Sequence, residues 1–141
     1  MPSLRAEAGL LRFASPFPFQ ATVQRLLDAL ADRGIKVFAT IDQRAEAVAV
    51  GLSMPPTTLI IFGNPKAGTP LMLANPLAGI DLPLKALVIE PTPGEVTVVI
   101  NTARYLLERH ALAPALEANL APIERLFANV LAKPDARPTA P

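Results

Sequence analysis

The residues best suited to hold a ligand form one loop, Gly63 to Thr69, with the sequence GNPKAGT directly after an apolar run. Glycines let a ligand approach the backbone closely, Lys66 offers a positive charge and Thr69 a hydroxyl. We expect a helix to begin here, with Thr69 as its N-cap and Pro70 at its first position. The unpaired N–H groups of that helix would face an anion, so the loop predicts a phosphate or carboxylate site.

A structural role explains most of the same loop. The glycines would supply positive φ angles, Asn64 would form an Asx-turn, and Thr69 would only cap the helix. The loop is not a P-loop, because Lys66 precedes the second glycine instead of following it. On this interpretation Gly68→Ala destabilises the protein, whereas Lys66→Ala leaves its stability nearly unchanged. Both interpretations stay open from sequence.

Two acidic residues, Asp42 and Asp81, are flanked by strongly apolar sequence. Either could act as a general acid or base. The alternative is that Asp42 caps a helix and that Asp81 forms a turn or pairs with Lys66. The complete predicted ligand site consists of seven residues: Asp42, Gly63, Asn64, Lys66, Gly68, Thr69 and Asp81.

Composition excludes several kinds of catalytic site. The chain has no cysteine and one histidine, His110, so we expect no metal site, no cofactor and no Ser-His-Asp triad. His110 follows Glu108 and Arg109 at the predicted end of a helix, where a cation is favourable, and is interpreted as a capping residue.

Length and charge predict one domain of a cytoplasmic protein. The 141 residues contain 13 Lys+Arg and 12 Asp+Glu without a basic run, so we expect neither nucleic acid nor membrane as a partner. The chain has no signal-peptide pattern and no uncharged apolar run of roughly 18 residues. We expect a single domain over 10–132, a loose N-terminus over 1–9 and a disordered tail over 133–141.

Hydrophobic periodicity predicts an α+β fold. Apolar positions spaced three and four apart indicate a helix, and alternating or β-branched runs indicate strands. In strand 35–41 we expect Val37, Ala39 and Ile41 on one face, and we expect strand 57–62 to be covered on both faces. The predicted elements are strand 10–14, helix 19–33 ended by Gly34, strand 35–41, a short helix capped by Asp42 and ended by Gly51, strand 57–62, hairpin 84–101 and helices after 102 with a break at Pro122.

This element order favours an antiparallel sheet with helices packed on one face. The other face of such a sheet needs cover, which a homodimer would provide.

The sequence resembles the DUF302 family, small bacterial and archaeal domains of unknown function with a TBP-like fold, over about residues 12–112. The resemblance rests above all on residues 62–72 and 81–84. Weaker matches are 22–26, Gly34, 37–42 and Gly51. It implies a β-α-β4-α arrangement with a curved antiparallel sheet, often dimeric, and no established activity. This chain has Gln43 where the family often has histidine, so imidazole chemistry at that position does not carry over.

Three functions are compatible with these patterns. The first is a non-enzymatic domain that binds or senses a small anionic ligand on residues 63–69 beside Asp81 and the end of the second strand. The second is an enzyme that uses Asp42 or Asp81 as a general acid or base. The third is a structural module for dimerisation, in which the loop only forms a turn.

Overall fold

A computed structural model describes residues 8–134 and contains a five-stranded antiparallel sheet. The strands are β1 (Leu10–Ser15), β2 (Lys36–Asp42), β3 (Thr57–Gly63), β4 (Leu84–Thr92) and β5 (Glu95–Asn101). They lie in the order β1-β5-β4-β3-β2, and every neighbouring pair is antiparallel. The predicted α+β class with an open antiparallel sheet is confirmed.

Within the described part of the chain, six α-helices connect or follow the strands. They are α1 (Phe19–Asp32), α2 (Gln43–Ala49), α3 (Pro65–Ala74), α4 (Ala103–Arg109), α5 (Glu117–Leu120) and α6 (Pro122–Val130), with a 3₁₀ segment at Pro76–Asp81 before β4 and another at Pro114–Leu116 before α5. Helix α1 ends as predicted, since Gly34 has a φ of +69°, an angle that favours glycine. The predicted break at Pro122 is also present, because the proline begins α6.

Helices α1 and α6 cover one face of the sheet and form the main core with it. Phe127 of α6 is fully buried, and its ring centroid lies 5.7 Å from that of Phe62 in β3. Large aromatic and aliphatic side chains buried in this way supply most of the stability of such a core. A second cluster joins α3, α4 and α5 through Leu71, Ala103, Leu106, Leu107 and Leu120.

The opposite face of the sheet is only half-buried. In β3 the buried side chains alternate with half-buried ones, and Leu59 and Ile61 belong to the second set. The prediction that β3 is covered on both faces was therefore wrong. Its apolar run reflects one packed face and one open apolar face.

A β-bulge in β2 separates residues that were predicted to share a face. Val37 lies opposite Phe62 and packs against the main core, whereas Ala39 lies opposite Ile61 on the half-buried face. The register shifts between Val37 and Ala39, because the extra residue of a bulge interrupts the alternation of side chains. Simple alternation along the sequence could not show this shift.

The two ends of the chain are only partly described. Residues 1–7 and 135–141, which hold most of the predicted loose ends, lie outside the described residues. Gly9 is tied to the fold, because its carbonyl accepts a hydrogen bond of 2.8 Å from the backbone N–H of Thr102. A Cβ at Gly9 would also overlap the ring of Tyr105.

Candidate functional site

A cavity of about 530 Å³ lies at the end of β3 that carries Gly63, within the range of roughly 300–1,000 Å³ that is usual for small-molecule sites. Its walls come from the end of α1, the beginning of β2, helix α3, the beginning of β4 and the junction of α5 with α6. The lining residues are Arg33, Ile35, Phe38, Phe62, Gly63, Asn64, Pro65, Ala67, Gly68, Thr69, Met72, Leu82, Pro83, Leu84, Asn119, Leu120, Pro122 and Ile123.

Four residues of the predicted site meet at this cavity: Gly63, Asn64, Gly68 and Thr69. The two glycines do not supply positive φ angles, so the conformational reason predicted for them was wrong. A Cβ at Gly63 would lie 3.4 Å from Cβ of Pro83 and 3.7 Å from Cε2 of Phe38, and one at Gly68 would touch only Leu82, at 3.9 Å. Glycine at these positions therefore leaves space at the cavity wall.

Helix α3 begins five residues earlier than predicted. Asn64 is its N-cap, with its side-chain oxygen accepting a 2.9 Å hydrogen bond from the N–H of Lys66, and Pro65 occupies the first position. Thr69 and Pro70 lie inside the helix, so their predicted roles as N-cap and first residue were wrong. The predicted Asx-turn of Asn64 is present.

The N-terminus of α3 has no free donor for an anion in its first turn. Pro65 has no N–H, that of Lys66 is bound by the Asn64 side chain, and those of Ala67 and Gly68 donate to the Asn64 carbonyl at 2.8 and 2.9 Å. The side chain of Lys66 is exposed and does not line the cavity. An anion held by this helix end and Lys66 is therefore not supported by the geometry.

Asp42 lies far from the cavity along the sheet. It is opposite Thr58, at the other end of β3 from Gly63. Its carboxylate accepts a 2.8 Å hydrogen bond from the N–H of Ala45 and caps α2, as the alternative interpretation predicted. The structure thus separates Asp42 from the loop with which it was grouped.

Asp81 belongs to a different cluster. Its carboxylate lies 2.6 Å from Nε2 of His110 and accepts hydrogen bonds of 3.1 and 3.2 Å from Nη1 of Arg109. The side chains of Asp81 and His110 are 16% and 8% exposed, so solvent screens this pair much less than a surface pair. The expected pairing of Asp81 with Lys66 is replaced by this contact with α4.

His110 is the C-cap residue of α4, as its position predicted, but its imidazole packs inward against Asp81. Its carbonyl accepts a 2.9 Å hydrogen bond from the side chain of Asn75. The cluster therefore holds the 3₁₀ segment between α3 and β4 against the end of α4. Within residues 8–134, the acidic and histidine side chains form no group of three that could hold a metal ion.

Sequence reasoning missed three polar or aromatic residues at the cavity: Arg33, Phe38 and Asn119. Asn119 of α5 donates a 3.0 Å hydrogen bond to the carbonyl of Ala67 in α3 and so connects two walls. Phe38 offered no distinctive signal, since a single large apolar residue on an exposed face is common. For Arg33 and Asn119, only the tertiary arrangement shows that they face the same space.

A family model described as "Domain of unknown function DUF302" matches residues 11–131 of the chain. The chain belongs to the DUF302 family. The match extends beyond residue 112, the expected limit of the resemblance, and includes α5 and α6. The family region thus contains every wall of the cavity.

A solved DUF302 structure has the same fold. The crystal structure of an uncharacterized conserved DUF302 protein from Bacillus stearothermophilus aligns with a TM-score of 0.74 and 22% sequence identity, over 87% of this chain and 95% of that chain. This likeness concerns the fold alone.

Curated relatives come from Brucella. The chain is 39% identical over 106 residues to "Fluoride-specific ion channel FluC 1" of Brucella suis and to "Fluoride-specific ion channel FluC 2" of Brucella melitensis. The matches cover 75% of this chain but only 42% and 39% of those proteins. No helix within residues 8–134 has the length and apolar character that a membrane span requires.

Proposed function

We propose that this DUF302 domain is a non-enzymatic module that binds a small ligand with an anionic group, and that the ligand occupies the cavity at the Gly63 end of β3. The observation that carries the proposal is the cavity itself, with its volume of about 530 Å³ and its mainly apolar walls. Concave apolar spaces with a few polar groups are typical of small-molecule sites.

The positions of the acidic residues favour binding over catalysis. A general acid or base must reach the reacting group, yet neither Asp42 nor Asp81 lines the cavity. Each carboxylate already has protein partners, a helix N-terminus for Asp42 and the side chains of Arg109 and His110 for Asp81. The enzyme hypothesis therefore has no support at this site.

We do not carry the channel activity named for the Brucella relatives over to this chain. Their name describes proteins of which the chain matches about two fifths. We propose that the domain senses its ligand, as a module that operates beside other activities. We also propose that it does so in the cytoplasm, because a cysteine-free domain suits a reducing compartment.

A substitution that fills the cavity with a larger side chain tests the proposal. In Gly68→Leu the new side chain begins beside Leu82, another lining residue, and extends into the space. With 8-anilinonaphthalene-1-sulfonate, a fluorescent probe with apolar rings and one negative charge, we expect saturable binding to the wild type and at least a tenfold loss in the variant.

The matched control is Ala74→Leu, which adds the same side chain at an exposed position of α3 that does not line the cavity. This variant should bind the probe like the wild type. Equal binding by Gly68→Leu and Ala74→Leu would show that the probe does not occupy the cavity and would contradict the proposal.

A second proposal, homodimerisation, concerns the half-buried face of the sheet. One row of residues crosses it from β2 to β5, in which Ile41, Leu59, Leu87 and Val99 lie directly opposite one another in turn. None of the four is fully buried. Because an apolar row across several strands is unfavourable in water, we propose that a second copy covers it.

Light scattering after size-exclusion chromatography tests this proposal. We expect a dimer for the wild type and a monomer for Leu87→Lys, which places a charge in the middle of the row. In the control, Leu77→Lys, the charge replaces a side chain that is 73% exposed elsewhere on the surface, and the dimer should persist. A monomeric wild type would overturn the proposal.

A further inference from the structure

We infer that the ligand is an amphipathic carboxylate, whose anionic head is held by Arg33 and whose aliphatic or aromatic body fills the space between Phe38, Met72 and Ile123. This inference rests on the proposed function, because it assigns a chemical class to the ligand of the same cavity. It also assigns the binding of the anionic group to Arg33 at the end of α1 instead of to the loop and Lys66.

The walls of the cavity set the apolar character of the ligand. Phe38 comes from β2, Met72 from α3 and Ile123 from α6, so apolar surface surrounds the space from three sides. The other large apolar residues that line the cavity are Ile35, Phe62, Leu82, Pro83, Leu84 and Leu120. Transfer of an aliphatic chain or ring from water into such surroundings is favourable, and the gain grows with each buried CH₂ group.

Arg33 sets the charge of the head group. Among the described residues that line the cavity, it is the one charged side chain, and no acidic side chain accompanies it. Within residues 8–134 Arg33 forms no ion pair. Lys36 adds positive charge on the same side, since its Nζ lies 5.0 Å from the centroid of the Phe38 ring. A guanidinium without a protein partner at an apolar cavity matches one carboxylate.

The remaining polar groups fit a small head group and not a polyphosphate. The first-turn donors of α3 are already bound, so the backbone cradle that phosphates use is missing. The side-chain N–H groups of Asn64 and the hydroxyl of Thr69 have no hydrogen-bond partner within residues 8–134. These two neutral groups line the same cavity as Arg33 and are available to donate hydrogen bonds to a ligand.

Calorimetric titration with octanoate and with octan-1-ol tests the inference, because the two probes share the apolar body and differ in the head group. At pH 7 we expect octanoate to bind the wild type more tightly than octan-1-ol. Arg33→Gln should weaken octanoate binding about tenfold, to the level of the alcohol, as expected for loss of a charged hydrogen bond. Octan-1-ol should bind Arg33→Gln and the wild type equally.

Lys66→Gln is the matched control. It removes a cation of helix α3 whose side chain does not line the cavity. Its affinity for octanoate should equal that of the wild type. Equal binding of octanoate and octan-1-ol by the wild type, or an unchanged affinity in Arg33→Gln, would overturn the inference while the proposed function stands. Binding of neither probe to the wild type would overturn the inference and count against the proposed function as well.

Discussion

The cavity at Gly63 and the cluster of Asp81, Arg109 and His110 show opposite uses of polar residues. At the cavity, apolar side chains enclose an open space, and Arg33 is the lining residue that carries a charge. At the cluster, the side chains of Arg109 and His110 both contact Asp81 within 3.2 Å, and none of the three lines that space. The cluster of ionisable side chains and the cavity are thus in different places.

This difference shows that the residues on which the family resemblance rests, 62–72 and 81–84, do not all have the same role. Residues of the first segment, 62–72, and residues 82–84 of the second contribute to the cavity wall, whereas Asp81 joins the 3₁₀ segment to α4. The charge of Asp81 therefore stabilises the frame, and residues of both segments border the space. Changes at the cluster should therefore affect the stability of the fold, and changes at the cavity should affect ligand binding.

The largest expected effect is at the cluster. Asp81→Asn keeps the size of the side chain but removes the charge that His110 and Arg109 face, so the free energy of unfolding in urea should fall by about 1–3 kcal/mol. Octanoate affinity of the folded variant should not change. Asp32→Asn, at an exposed position, is the control with little effect. Unchanged stability combined with lost binding would show that the two regions are not separate.

Removal of the helix cap at the cavity should have a smaller effect. Asn64→Ala deletes the oxygen that accepts the N–H of Lys66, so we expect a loss of about 1 kcal/mol in the same measurement. Asn64→Asp retains an accepting oxygen and should restore the stability. If the alanine variant is as stable as the wild type, the N-terminus of α3 does not depend on this cap.

Gly68→Ala should raise the stability by about 0.5–1 kcal/mol, because alanine is the better helix former and the new Cβ has room beside Leu82. The sign is opposite to the one expected from sequence, where a positive φ was assumed. Gly34→Ala serves as the contrasting variant, since its φ is +69° and nothing crowds its Cβ. It should be less stable than the wild type, and a loss of stability in Gly68→Ala would contradict the helical geometry.

The smallest effect is expected for Lys66→Ala. Its side chain is exposed and outside the cavity, so the free energy of unfolding should change by less than about 0.5 kcal/mol. Sequence analysis predicted the same small change in stability, while its ligand hypothesis required weaker binding. Unchanged octanoate affinity would show that Lys66 does not take part in binding. A clear loss of affinity would show that the loop holds the anion.

Local rules predicted much of the fold. Gly34 after α1, Asp42 before α2 and the hairpin of β4 and β5 were each predictable, because the interactions that determine them lie within a few residues. The start of α3 was not, since Asn64-Pro65 and Thr69-Pro70 both combine a capping residue with proline. Sequence spacing offers no physical means of choosing between them, whereas packing of α3 against its neighbours does.

The site was less predictable than the fold, because its residues are distant in sequence. Asp81 meets His110 across 29 positions, and Asn119 reaches Ala67 across 52. Arg33 could not be predicted from the sequence for another reason. At the end of an amphipathic helix, an exposed arginine is ordinary, and only the space in front of it makes it informative.

The pairing of β1 with β5 has a consequence for the order of folding. Leu10 lies opposite Asn101, so within residues 8–134 the first strand pairs with the last one and completes the sheet. Contacts between residues so far apart close a long loop before they contribute stability, and such topologies fold slowly. During synthesis, β1 has no partner strand until β5 has left the ribosome. The sheet therefore becomes complete only after most of the domain has been made.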